Sequence, residues 1–214
     1  MRDFLSVMIL AVSLGIASYG GAVAGAAGNL KSALRQSGRF EAAGPEERED
    51  IAISAVGDCT LGYDASFGYR GSFDDYIDRY GLEYPFKNVV RYFREDDVTI
   101  ANLEGTFTDG GEKAVKKFRF RGKPEYARIL SLSSIEAVNL ANNHTHDYLD
   151  KGYADTRKYL KKDGIGYFGN GYKYIRKVRG TKVGFLGYPG WYDSGEIESG
   201  IRRDIAAVIP SRIT

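Results

Sequence analysis

Three short apolar runs, each closing on side chains able to hold a metal or move a proton, constrain this chain most. Ile51 to Asp58 is an apolar, partly β-branched run ended by Gly57-Asp58, and Val98 to Glu104 repeats the design. Ala137 to Ala141 leads into Asn142, Asn143 and His144. Runs of this length read as buried strands, and side chains at strand C-terminal ends converge on one crevice in α/β proteins. An α/β domain is therefore expected, with Asp58, Glu104 and the Asn139–Tyr148 stretch around a single site. Asn, His and Asp are also ordinary turn and cap residues, so each position alone retains that second reading.

The segments between these runs have helical or hairpin character. Pro85 can open a helix in which Phe86, Val89, Val90 and Phe93 share a face. Phe118 to Arg121 alternates like a strand, and Pro124 starts a second helix through Ala127, Ile129 and Leu130. Gly152 to Lys162 is amphipathic and is stopped by Gly164 and Gly166. Tyr174 to Val178 and Lys182 to Tyr188 flank Arg179-Gly180-Thr181, which predicts a hairpin. Beyond Trp191 the pattern fades and no further strand is expected.

Residues 4–17 carry no charge and are followed by small residues, Ala22-Val23-Ala24 and Gly25-Ala26-Ala27. This is the pattern of a signal-peptide core with cleavage after Ala24 or Ala27. Uncleaved, the apolar span reaches across a bilayer as an anchor. The expectation is an exported protein, extracellular or anchored to the cell membrane, with residues 1–27 as signal segment, 28–50 as linker and 51–214 as the folded domain. Cys59 is the only cysteine, which excludes an internal disulfide and leaves the redox compartment open.

Thirty basic residues against 28 acidic ones leave a net charge of +2, which argues, with the export segment, against nucleic acid as partner. Lys113, Lys116, Lys117, Arg119, Arg121 and Lys123 nevertheless form a basic stretch interleaved with Phe118 and Phe120. It reads either as an edge strand with a basic outer face or as a contact for an anionic polymer. The oxygen and imidazole groups at the three strand ends suit Mn²⁺, Mg²⁺ or Zn²⁺. Such an ion would polarise a phosphoryl or carbonyl oxygen, with a neighbouring imidazole protonating the leaving group.

At these residues the chain resembles the CapA family of poly-γ-glutamate capsule synthesis proteins. The matching pieces are Ala55-Val56-Gly57-Asp58 with Leu61-Gly62, Ala101-Asn102-Leu103-Glu104, and Val138 to His144 with Asp147. Gly152, Thr156, Leu160, Gly164-Ile165, Phe168 to Gly171 and Val183 to Tyr188 continue the set in order. The resemblance implies the N-terminal part of a metallophosphoesterase-like α/β/β/α sandwich related to the calcineurin-like enzymes. It further implies Asp58, Glu104 and Asn143 as metal ligands and His144 as general acid. Asn142 and Asp147 would support them, and Arg119 and Arg121 would meet an anionic substrate.

Two departures qualify this. Thr60 stands where the phosphoesterases place a histidine, and no histidine follows His146, so the imidazole set is incomplete. On that basis the chain is expected to be a truncated gene product, a fragment, or one half of a split protein whose fold a second chain completes. Three functions follow: an exported accessory protein of capsule polymer synthesis or export, working with membrane-associated synthesis machinery; a metal-dependent phosphoesterase-type hydrolase; or a non-catalytic scaffolding or polymer-binding module.

Overall fold

The computed structural model describes residues 50–189 and 195–208, together with the backbone of residues 7–11. In chain order the strands and helices are β1 (Val7–Ala11), β2 (Ile53–Cys59), α1 (Phe73–Tyr80), α2 (Val90–Glu95), β3 (Val98–Leu103), β4 (Thr106–Phe107) and β5 (Arg121–Gly122). They continue with α3 (Ala127–Leu132), β6 (Ala137–Asn139), α4 (Leu149–Lys162), β7 (Gly166–Phe168), β8 (Tyr174–Val178), β9 (Thr181–Leu186) and α5 (Gly195–Val208).

The sheet carrying the site has the order β2-β3-β6-β7, and every neighbouring pair in it is parallel. β3 is buried along its whole length, as expected of a central strand covered on both faces. Its side chains alternate between two cores. Ala101 and Leu103 join Val138, Ile129, Leu130, Phe107 and Leu160 on the helical side. Val98 and Ile100 join Phe168, Val183 and Phe185 on the other. That second core lies against the sheet β1-β9-β8, in which β8 and β9 form the expected antiparallel hairpin.

On the outer face of β9, Gly184 leaves room for Val208 of α5: a Cβ there would lie 2.7 Å from the valine Cγ1. Tyr188 and Lys173 tie the same helix through Asp204, at 2.7 and 2.9 Å. The layers therefore run helix, sheet, sheet, helix, as an α/β/β/α sandwich requires.

Helix α4 is fixed by a stripe of small and apolar residues. Gly152, Thr156 and Leu160 are its buried positions, four residues apart on one face. The Thr156 hydroxyl accepts from the Phe107 N–H at 2.9 Å and donates to the Gly152 carbonyl at 2.7 Å. This joins the helix to β4, next to the site.

Several sequence expectations change. β2 is not a buried strand. Ala55, Gly57 and Asp58 are exposed, because among the described residues β2 pairs only with β3. The helix expected from Pro85 begins at Val90, after hydrogen-bonded turns through Phe86. The strand expected over Phe118–Arg121 shrinks to Arg121–Gly122. Helices α1 and α5 were not foreseen. The first is capped by Ser72, whose hydroxyl accepts from the Asp75 N–H.

Residues 1–6, 12–49, 190–194 and 209–214 lie outside the described residues, and with them most of the expected signal segment and nearly all of the linker. Within that expected segment, residues 7–11 form a parallel partner for β9. Among the described residues no helix is long and apolar enough to cross a membrane.

Candidate functional site

The three expected strand ends do come together. Asp58 stands near the end of β2, Glu104 directly follows β3, and His144 sits in the loop between β6 and α4. What joins the first two is a residue the sequence reading passed over. The Asn102 amide donates to Asp58 Oδ1 at 2.6 Å and to Glu104 Oε2 at 2.9 Å. Its own oxygen accepts from Asn139 Nδ2 and Asn142 Nδ2, both at 3.0 Å. Asn142 Nδ2 also reaches the Leu103 carbonyl at 2.9 Å, and its oxygen accepts from the His144 N–H at 2.9 Å. A buried polar network this complete holds its members in one arrangement.

His144 is oriented by a second network. Its Nδ1 lies 2.7 Å from Asp147 Oδ2, so the proton sits on Nδ1 and Nε2 faces the crevice. Asp147 is fully buried. It also accepts from the Phe120 N–H at 2.5 Å and from Lys116 Nζ at 2.6 Å. Lys116 donates further to the Asn143 carbonyl at 2.8 Å. The Phe120 ring packs on the imidazole with centroids 4.4 Å apart. His144 Nε2 stands 3.7 Å from Glu104 Oε1, close enough for charge coupling and too far for a hydrogen bond. Burial, and then the neighbouring Asp58 charge, push the Glu104 carboxyl above its ordinary range, with His144 opposing them.

Other expected residues fall elsewhere. Asn143 is exposed and meets Lys116 through its carbonyl. Arg119 and Arg121 flank Phe120 in the chain. The Arg119 guanidinium lies 3.6 Å from buried Asp64, and Arg121 lines a small cavity with Tyr63, Thr108 and Lys123. The structure does not bring either arginine to His144. His146 is half exposed and packs on Tyr153, outside the crevice.

Lys116 and Asn102 were the functional positions missed. Lys116 was one charge in a basic stretch read as an edge strand's outer face or an anion contact, and only the fold turns it toward Asp147. Asn102 had a visible signal: an amide inside an otherwise apolar run, where a buried polar group needs partners.

The fold implies a divalent ion, and the donor set can be tested against it. Among the described residues no group of three or more His, Cys, Asp or Glu side chains is arranged to hold one. One oxygen each of Asp58 and Glu104 accepts from the Asn102 amide. As arranged, these residues do not fit a resident metal. They do supply an oriented imidazole beside a carboxylate of raised pKa, a pair suited to moving a proton.

The layering, with this crevice at the ends of parallel strands, defines the N-terminal part of a metallophosphoesterase-like α/β sandwich. The chain belongs to the family of the bacterial capsule synthesis protein PGA_cap, whose family model matches residues 52–206. It is 28% identical over 173 residues to the capsule biosynthesis protein CapA of Bacillus anthracis, covering 74% of this chain and 40% of the relative. It is 27% identical over 118 residues to the PGA biosynthesis protein CapA of Bacillus subtilis, covering 50% of this chain and 31% of that relative. The chain thus spans well under half the length of these two curated relatives.

Proposed function

We propose that this chain is an exported accessory component of the synthesis or export of an anionic capsule polymer of the poly-γ-glutamate class, and that His144 is its working group. The family match over residues 52–206 carries the polymer assignment. The uncharged run at residues 4–17 supports export, with the membrane-associated synthesis machinery as partner.

Within the site, Asp147 holds the imidazole by Nδ1, so Nε2 is the atom that gives or takes a proton. The Glu104 carboxylate stands beside that atom, 3.7 Å away. Phe120 shields one ring face from water. A divalent ion enters this proposal only as a guest whose remaining donors come from outside the described residues, and no step depends on it.

The shortfall in metal donors favours one second reading: a scaffold that keeps the crevice without its chemistry. Both are tested by returning wild type, His144→Ala and His144→Gln to a capsule-forming host deleted for the gene and measuring cell-associated polymer. The proposal expects polymer with the wild type and little with either variant at equal protein level. Full polymer with both variants supports the scaffold. Unchanged polymer in the deletion itself removes the capsule role.

A further inference from the structure

Away from the crevice, the small cavity beside Tyr63 is lined by charges that the fold leaves unused. We infer that it is a site for the head group of an α-amino acid, with Arg121 holding the carboxylate and Asp109 the ammonium. The site is separate from His144, and its existence does not depend on the capsule role.

The cavity measures about 90 Å³, and its charged lining is Asp74, Asp109, Arg121 and Lys123. Two of these are spent on each other. Asp74 Oδ2 lies 3.7 Å from Lys123 Nζ, and its Oδ1 accepts from the Tyr126 hydroxyl at 2.7 Å. Lys123 also reaches Asp78 Oδ1 at 3.5 Å. The Thr108 hydroxyl in the lining is engaged as well, donating to Asp155 Oδ2 at 2.6 Å.

Arg121 and Asp109 are left. Among the described residues neither side chain has an ion-pair or hydrogen-bond partner, in each other or elsewhere. The Arg121 guanidinium lies over the Tyr148 ring, 5.5 Å from its centroid, a contact that uses none of its N–H donors. The backbone beneath it is fixed. Arg121 donates to the Tyr63 carbonyl at 3.1 Å and accepts from the Tyr63 N–H at 3.2 Å. Gly62 packs so closely on the Arg121 carbonyl that a Cβ would not fit.

One unused charge of each sign on one small cavity selects the ligand. A plain anion gains Arg121 and is repelled by Asp109, and a plain amine meets the reverse. A zwitterion satisfies both. A carboxylate matches the forked guanidinium donors, and room for about six waters takes the few heavy atoms of an amino-acid head. The rest of the ligand has a way out. Asp109 and Lys123 also line an open groove of about 610 Å³ that continues past Arg128, Tyr159 and Lys162. Two sources carry this head group. One is a free amino acid. The other is the amino-terminal residue of a γ-linked glutamyl chain, whose α-amino and α-carboxyl groups stay free on one carbon; this second source rests on the proposed function.

The test titrates the full chain with glycine, N-acetylglycine and glycinamide, followed by calorimetry and by amide resonances. Glycine should bind saturably and shift the Tyr63 and Thr108 resonances while leaving His144 in place. N-acetylglycine and glycinamide each lack one charge and should bind about tenfold more weakly or worse, the scale of one lost charge-assisted hydrogen bond. Arg121→Gln and Asp109→Asn should each weaken glycine by a similar factor. Asp109 is exposed, so its variant decides if Arg121→Gln does not fold.

N-acetylglycine binding as tightly as glycine overturns the inference. So does unchanged glycine binding by Asp109→Asn, or the absence of shifts at Tyr63 and Thr108, a measurement independent of both variants. γ-Glutamylglutamate binding more tightly than glutamate assigns the chain end as the source, and equal affinity assigns a free amino acid; either result upholds the site. Failure of the capsule role in the deletion host leaves these titrations unchanged, so the two are read apart.

Discussion

Removing the carboxylate of Asp147 should be among the most destabilising single changes in the domain, and the structure sets its size. Asp147 is fully buried and accepts from the Phe120 N–H, Lys116 Nζ and His144 Nδ1 at 2.5, 2.6 and 2.7 Å. Hydrogen bonds to a charged group contribute about 1.5–3 kcal/mol each. They do not sum, because contacts within one network are coupled and Lys116, with a side chain 28% exposed, can regain water. Breaking a buried pair by deleting one partner costs about 3–5 kcal/mol, the expectation for Asp147→Ala.

Asp147→Asn keeps the volume but sets an NH₂ against one of the donors, for about 2–3 kcal/mol on the scale of an unsatisfied buried group. Lys116→Met leaves Asp147 two donors and should cost about 1–2 kcal/mol by the same measure. Urea unfolding of the full chain near neutral pH, followed by circular dichroism, reads the series. With a slope near 2 kcal/mol/M, Asp147→Ala should lower the midpoint by about 2 M without changing the slope. A loss under about 1 kcal/mol for Asp147→Ala would falsify this reasoning, as would Lys116→Met costing as much.

Two further predictions concern other parts of the domain. Against burial, which acts the other way, the Ser66 and Arg119 N–H groups and the Arg119 charge lower the Asp64 carboxyl to about 2. A depressed folded pKa stabilises above the unfolded value and is lost in acid. Asp64→Asn should thus be less stable than wild type near neutrality, the gap closing as pH falls from about 4 through about 2; a gap constant with pH in unfolding melts refutes it. Leu160 is fully buried between α4 and the sheet, so Leu160→Ala should cost about 2–5 kcal/mol in urea unfolding; a cost below about 1 kcal/mol would mean that α4 is not packed there.

Much of the framework was legible because it rests on local patterns. β3, β6, the β8–β9 hairpin and the span of α4 follow from apolar runs, helical spacing and the Arg179-Gly180-Thr181 turn. The ordered motifs from Asp58 to Tyr188 also carried the family, and Asp58, Glu104 and His144 were placed at strand ends where the fold indeed puts them. What periodicity missed was short or weakly patterned: α1, eight residues long, and α5, whose packing depends on the absence of a side chain at Gly184.

The chemical state of the site belonged to the tertiary structure alone. Arg119 and Arg121 share a basic stretch with Lys116, yet the fold turns them away from His144 and turns Lys116 toward it, because Phe120 gives one side of the segment to the imidazole. Asp147 is close in sequence to His144, but its other two donors, the Phe120 N–H and Lys116 Nζ, come from a loop distant in the chain. The amide of Asn102 reaches Asp58 only because β2 and β3 lie side by side in parallel register. The sequence by itself brought Asp58, Glu104 and His144 to the crevice, since strand ends are set by local runs. Which of them touch, and whether the carboxylates face an ion or an amide, depended on distances between strands far apart in the chain, and those exist only once the sheet is built.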